Sequence, residues 1–354
     1  MTLRVELRSP WGETVVRDVV DRRWAEPSGT ATTTIGAGMW ALPGLADAHA
    51  HLAAAELNYQ PGVLDDAIDR ARHALAAGVT LVLDKGWTDD VTIRLIDVLD
   101  ELERPEIEAA AEIVAAKGGY YPDFAIEVSP DDLPSTVTTQ ARAGAGWVKL
   151  IGDWPRSEVG PVANFDESDL RIAVDRAEAA GARVAIHTMA REVPSAAVRA
   201  GVHSIEHGMF LEEEDLDALA GRGGMWVPTV LRCEATRAQL GEASRGGKLF
   251  TQGLERLRRL LPLALEAGVR VLAGTDLVGT PADVAAEAIR LRDYGLSAAQ
   301  VVEAVSTSVF IATGRSAVFE EGTPANAVLF AVNPIESPDV LAHPSLVIRL
   351  GGLV

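Results

Sequence analysis

The chain has 354 residues, 48% hydrophobic and 23% charged, enough apolar material for a large buried core and too much for a disordered chain. Its net charge of −19 repels phosphate backbones and anionic lipid headgroups, so neither nucleic acid nor a membrane surface is an expected partner. A single cysteine, Cys233, excludes an internal disulfide and a thiolate metal cluster; a reducing compartment fits, and any metal must rest on nitrogen and oxygen ligands.

The opening stretch, Met1 to Glu13, carries charges where a secretory leader needs an apolar run, and no later run approaches the roughly 20 apolar residues of a membrane span. A soluble, cytoplasmic protein is expected. Leu3 to Leu7, Thr14 to Val19 and Thr32 to Ile35 read as short strands of a small sheet, separated by Pro, Gly and Ser turns. After Pro43 the pattern changes to apolar runs alternating with helical stretches. Strands are predicted at Leu45 to Ala48, Val79 to Leu83, Ile107 to Ile113, Trp147 to Ile151, Arg183 to Ile186, His203 to Ile205, Met225 to Pro228 and Val269 to Ala273. Eight such units predict an α/β fold, a (β/α)8 TIM-type barrel over residues 43–321. A doubly wound sheet would place a Gly-rich phosphate loop after the first strand, and none follows Leu45. Ala325 to Val332 and Leu346 to Leu350 return to the opening style. Residues 1–42 and 322–354 are therefore expected to meet as one small β-sandwich domain.

Five of the seven histidines lie beside predicted strands. In Pro43-Gly-Leu-Ala-Asp-Ala-His-Ala-His51, strand-like alternation sets His49 and His51 on one side, at the carboxyl end of the first barrel strand. His187 ends Arg183-Val-Ala-Ile-His, His207 lies in Ser204-Ile-Glu-His-Gly, and Asp276 ends Gly274-Thr-Asp, each where a strand meets its loop. Barrel active sites lie at that end, so these five donors are expected to converge on a metal. His73, in a predicted helix, and His203 and His343, off the strand ends, are assigned structural roles. Cys233 is placed in a loop after the seventh strand.

Pro-Gly-Leu-x-Asp-x-His-x-His, the two later histidine strands, Ser-Ile-Glu-His-Gly and Gly-Thr-Asp together resemble the amidohydrolase superfamily. The spacing of Ala200-Gly-Val-His-Ser-Ile-Glu-His-Gly208 and Val227-Pro-Thr229 is similar to its prolidase and imidazolonepropionase-like branch. One position departs: Asn326 stands where the family's tail motif has aspartate. The resemblance implies metal ligands at His49, His51, His187, His207 and Asp276. It also implies that Lys149, in Trp147-Val-Lys-Leu-Ile151, is carboxylated to a carbamate bridging two divalent ions. Zinc is the expected ion for such nitrogen and oxygen donors. The implied reaction is hydrolysis of an amide or peptide C–N bond in a small substrate by a metal-bridging hydroxide, with Asp276 as the proton shuttle.

Substrate contacts are sought in the strand-end loops: Lys85, Trp87, Tyr120, Tyr121, Trp154 and Arg156. The cations Lys85, Lys117, Arg156 and Arg191 in an acidic chain point to a carboxylate-bearing substrate. Two other readings stand beside this one. A mononuclear deaminase or imidazolone-type cyclic amide hydrolase would leave Lys149 idle and need a further acid, for which Glu192 and Glu206 are the candidates. A non-catalytic scaffold would be expected to have lost ligands. A homo-oligomer is compatible with the sequence.

Overall fold

The computed structural model describes residues 3–29, 31, 33–54, 60–156 and 159–354. Strands Leu3–Arg8, Thr14–Val20, Arg23–Ala25, Thr33–Ile35 and Trp40–Leu42 share one eight-stranded sheet with Ala327–Phe330, Leu346–Arg349 and Gly352–Leu353. The two ends of the chain join where Trp40–Leu42 pairs antiparallel with Ala327–Phe330, Val328 opposite Leu42. Val5, Leu7, Trp24, Ala41, Phe319, Leu329 and Ile348 fill a separate core beneath this sheet. Thr32, the expected start of one of its strands, lies outside the described residues.

Among the parallel strands that follow are β1 (Leu45–Ala50), β2 (Val79–Asp84), β3 (Glu106–Ala109), β4 (Trp147–Ile151), β5 (Arg183–Thr188), β6 (Ser204–His207), β7 (Met225–Val227) and β8 (Arg270–Val271). Ile113–Ala116 lies parallel beside β4, and Ile126–Val128 parallel beside Ile113–Ala116. β1, β2 and β3 pair in order. Ala109 of β3 bridges Gly146 at the foot of β4, and β4 to β8 pair in order. Beyond β8, the Ala273 carbonyl accepts the Ala48 N–H of β1 at 2.9 Å, so the adjacency returns to its start.

Alternate residues of these strands face inward. Ala46, Ala48, Leu81, Leu83, Trp147, Ala185, Met225, Val227 and Leu272 form one inner cluster, while the opposite faces pack against helices. Glu167–Ala179 illustrates how those helices are specified. Asp166 and Asp169 form a reciprocal capping box, and the buried Leu170, Ala173, Val174 and Ala177 recur at helical spacing. Among the described residues no helix is long and apolar enough to cross a membrane.

Three expectations need correction. Ile107 to Ile113 is not one strand: Ala110 N–H still reaches the Asp84 carbonyl at the end of β2, but beyond it Ala111 accepts Trp87 N–H and the Gln140 side chain accepts Glu112 N–H before Ile113–Ala116 resumes beside β4. β8 is shorter than Val269 to Ala273, because Ala273 donates to Ala304 rather than to a strand. Cys233 lies buried in the helix Val230–Leu240, not in a loop, since the chain turns helical directly after Thr229.

Gly274 shows why Gly-Thr-Asp begins with glycine. A Cβ there would lie 2.6 Å from His49 Cβ and 2.8 Å from His49 N, so only a bare backbone passes β1 this closely. Gly274→Ala is expected to lower the melting temperature by at least about 3 °C, the cost of overpacking a rigid junction. An unchanged melting curve would show that the junction is loose.

Candidate metal centre

The ends of β1, β5, β6 and the segment after β8 bring their polar side chains to one point. Ligand atoms of His49, His51 and Asp276 all lie within 4.8 Å of one another. Nε2 of His49 and of His51 are each 3.4 Å from Asp276 Oδ1, and His207 Nε2 is 3.8 Å from Oδ2. His187 Nδ1 lies 2.9 Å from His207 Nε2. Lys149 is 2% exposed, on the inward side of β4 two residues beyond Trp147.

Backbone conformation puts consecutive residues into this space. Strand alternation allows one of each pair inward, yet both Glu206 and His207 reach the centre. His207 has φ of 63°, and the ladder of β1 shifts register between Asp47 and Ala50, just where His49 enters. Thr229 and Asp276, with φ of 45° and 41°, carry the same left-handed backbone. Such strain in non-glycine residues persists where surrounding bonds enforce it, typically at functional sites.

Those bonds also fix which ring nitrogens are free. His51 Nδ1 donates to the Gly86 carbonyl at 2.7 Å. The Thr229 hydroxyl donates to the Pro228 carbonyl, so its oxygen receives the Nδ1 proton of His207 at 2.6 Å. His49 Nδ1 sits 2.6 Å from Glu206 Oε2. In His51 and His207 Nδ1 is held by a hydrogen bond, and in His49 it faces the Glu206 carboxylate, so in all three rings Nε2 is the nitrogen turned toward Asp276, the arrangement that outer partners impose on metal-binding imidazoles. Nε2 of His187 is buried with no hydrogen-bond partner among the described residues, which leaves its Nδ1 opposed to another imidazole nitrogen.

The protonation states agree. Burial, reinforced by Lys149, pulls His49 down to about 4, and burial takes His207 down to about 3 and His187 well below its usual value. These imidazoles are neutral at neutral pH, as ligands must be. Burial opposes ionisation of Asp276, but the positive charge around it, with the permanently charged Arg232 guanidinium beside Oδ2, holds its carboxyl well below the carboxylate range. Burial lowers Lys149 to about 8. Neutral nitrogen donors, one carboxylate and a lysine easily made neutral fit divalent ions.

The other candidates separate. Lys85 is not a substrate-loop residue. It is fully buried, 4.1 Å over the Trp147 ring and 3.8 Å from Glu206 Oε1, because β2 keeps its alternation past Leu83 and carries Lys85 inward. Trp87 is buried against His51, 5.3 Å between ring centroids. Tyr120, Tyr121 and Trp154 form one aromatic cluster, with Trp154 5.8 Å from the His187 ring. Arg156 donates to the carbonyls of Lys117 and Gly118 and to Asn164, tying loops together. Glu192 and Lys117 are exposed. His73 and His343 are exposed, and His203 accepts Val184 N–H, all away from the centre. Asp47, Thr229 and Arg232 were not singled out in the sequence. Only Asp47 and Thr229 had a signal there, inside motifs already quoted.

A sequence model of the amidohydrolase family matches residues 40–354. The chain belongs to the amidohydrolase family. This amidohydrolase is 33% identical over 345 residues to an uncharacterized protein of Mycobacterium tuberculosis, spanning 94% of this chain and 90% of that one. It is 25% identical over 234 residues to ochratoxinase of Aspergillus niger, spanning 61% of this chain and 47% of that protein. A Xaa-Pro dipeptidase, solved with methionine bound in its active site, shares the fold with a TM-score of 0.85 at 22% identity over 100% of both chains. Prolidases are among its structural neighbours, and the amidohydrolase is a hydrolase with a His-His-Asp site.

Thr229→Val in this amidohydrolase keeps side-chain shape and removes the oxygen that fixes the His207 tautomer. Divalent-ion affinity, measured by chelator competition, should weaken by about 10- to 100-fold. An unchanged affinity would remove His207 Nε2 from the metal-binding atoms.

Proposed function

We propose that this amidohydrolase cleaves an amide or peptide C–N bond of a small substrate, using two divalent ions held by His49, His51, His187, His207, Asp276 and a carboxylated Lys149. Zinc is the ion the donor set suits best. The observation that carries the reading is the gathering of imidazole lone pairs around Asp276, with His187 and His207 opposed at 2.9 Å. His49, His51 and Asp276 would hold the inner ion and His187 and His207 the outer one. Burial of Lys149 favours the neutral amine that reacts with carbon dioxide, and the resulting carbamate would offer an oxygen to each ion.

Bound ions of this kind supply a hydroxide nucleophile at neutral pH and polarise a carbonyl. The chain's own residues do the rest. Asp276 has His49 and His51 on one oxygen, and its other oxygen, beside His207 and Arg232, would be the one that meets the nucleophile. It takes the proton there and returns it to the departing nitrogen. Trp154, Tyr120 and Tyr121 would form an apolar wall beside His187 for the acyl or side-chain portion. The mononuclear reading needs a separate acid. Glu192 is exposed, and Glu206 is committed to His49, Lys85 and the Ser204 hydroxyl. In this reading residues 43–321 form a (β/α)8 barrel. Residues 1–42 and 322–354 fold over their own core as a small sandwich, supported by the Trp24 N–H to Thr323 and Ala325 N–H to Arg22 bonds that tie the edge strand Arg23–Ala25 to the segment leading into Ala327–Phe330.

Metal content per chain should be near two and fall in Lys149→Ala. Asp276→Asn keeps size and a carbonyl oxygen but removes the basic lone pair, so kcat should drop by at least ~10²-fold, more than KM changes, with metal retained. One ion per fully loaded chain, or near-normal kcat in Asp276→Asn at normal metal content, would contradict the assignment.

A further inference from the structure

None of the candidate ligands comes from β2, yet the end of that strand reaches both histidines of β1. Lys85 N–H donates to the Ala50 carbonyl at 2.8 Å, between His49 and His51, and the next carbonyl, that of Gly86, receives Nδ1 of His51 at 2.7 Å. Asp84 keeps this turn in place, its carboxylate accepting the N–H of Gly86 at 2.8 Å and of Leu52 at 2.6 Å.

The Lys85 side chain points toward the partner of the other histidine. Its Nζ is buried without a hydrogen-bond partner among the described residues, 4.1 Å over the Trp147 ring and 3.8 Å from Glu206 Oε1. The ring is a fixed floor, because its Nε1 donates to Glu108 Oε2 at 2.7 Å. Glu206 is oriented in turn. The Ser204 hydroxyl donates to Oε1 at 2.6 Å, and Oε2 faces His49 Nδ1 at 2.6 Å. A buried carboxylate held on one oxygen by a hydroxyl and an opposite charge presents its other oxygen in one direction; without that charge it shifts toward whatever else can satisfy it. Lys149 also acts on Glu206, but a carboxylated Lys149 has lost its positive charge, which leaves Lys85 as the lysine facing that carboxylate. Lys85 belongs to none of the motifs quoted above, and hydrolysis as derived gives it no part.

We propose that Lys85 is a positioning residue of the metal centre: through Glu206 it holds the His49 ring with Nε2 toward Asp276, and so sets the affinity of the inner ion without being a ligand. This rests on the two-ion reading above and adds that the two ions are tuned separately. The end of β2 serves the inner ion alone, with the Gly86 carbonyl fixing His51 and the Lys85 side chain fixing His49 through Glu206. His207 of the outer pair is fixed instead by Thr229.

The test measures the two stepwise zinc affinities by chelator competition in wild type, Lys85→Met, Glu206→Gln and the double variant, with melting temperatures of the metal-free proteins alongside. Lys85→Met should weaken one affinity by about 10-fold, the low end for losing an outer partner of a metal-binding histidine, and leave the other within about 2-fold. In the Glu206→Gln background the same substitution should change neither affinity by more than about 2-fold, because the group through which it acts is already neutral. If Lys85→Met does not fold, Glu206→Gln should still show the one-sided loss and the double variant should match it. A merely structural lysine would lower the melting temperature and leave both affinities at their wild-type values, which would overturn the proposal. Equal weakening of both ions, or a loss that persists in the Glu206→Gln background, would overturn it as well. A wild type that takes up a single ion would end the two-ion reading, while the same comparison on that ion would still decide the role of Lys85.

Discussion

The carboxylate of Asp47 joins the two strand ends on which the centre is built. Its Oδ1 accepts the N–H of His49 at 3.0 Å and of Thr275 at 3.2 Å, and its Oδ2 accepts the Thr275 hydroxyl at 2.6 Å. Asp276 N–H then donates to the His49 carbonyl at 2.9 Å. The segment bearing His49 and His51 is thereby locked to the segment bearing Asp276, 228 residues away along the chain from Asp47 to Thr275. Burial pushes the Asp47 carboxyl up to about 6 even though Thr275 and His49 hydrogen-bond it, so the junction is bought with desolvation.

Around that junction the molecule concentrates what protein interiors normally avoid. Lys85, Lys149, Glu206 and Asp276 are buried together, and His207, Thr229, Asp276 and Leu277 all carry left-handed backbone. The charges are tolerable because they are graded. Lys85 faces Glu206, Glu206 faces His49, and His49 faces Asp276, so Lys85, Glu206 and Asp276 each have an opposite or orienting partner. Such a chain holds imidazole lone pairs in one direction, which a purely apolar interior would leave free to rotate. The cost is borne by the parallel strands, whose inner cluster of Leu81, Leu83, Met225, Val227 and Leu272 packs beneath.

What was legible in the sequence was what alternation along a single strand records. His49 with His51 could be placed from period-two spacing and His187 from the rule that strand ends carry the chemistry, whereas Lys149 followed only from the resemblance of the sequence to a known family. The partners of those residues were not legible, because they come from neighbouring strands. Thr229 reaches His207, Glu206 reaches His49 and Asp47 reaches Thr275 only once strand order is known. Lys85 was misread for a related reason. Its backbone N–H pairs with Ala50 and extends β2's alternation, turning a residue that resembled a loop cation into an interior one. The break of β3 at Ala110 to Glu112 was equally hidden, since Gln140, which stabilises it, lies in a distant helix.

The central claim is that His49, His51, Lys149, His187, His207 and Asp276 surround two ions. Anomalous diffraction at the metal absorption edge, from crystals of the metal-loaded protein, tests it most directly. Two peaks about 3.5–4 Å apart within those six side chains are expected, with continuous density from Lys149 Nζ to a planar three-atom group between the peaks. A single peak beside His49, His51 and Asp276, with an unmodified Lys149, would contradict the account.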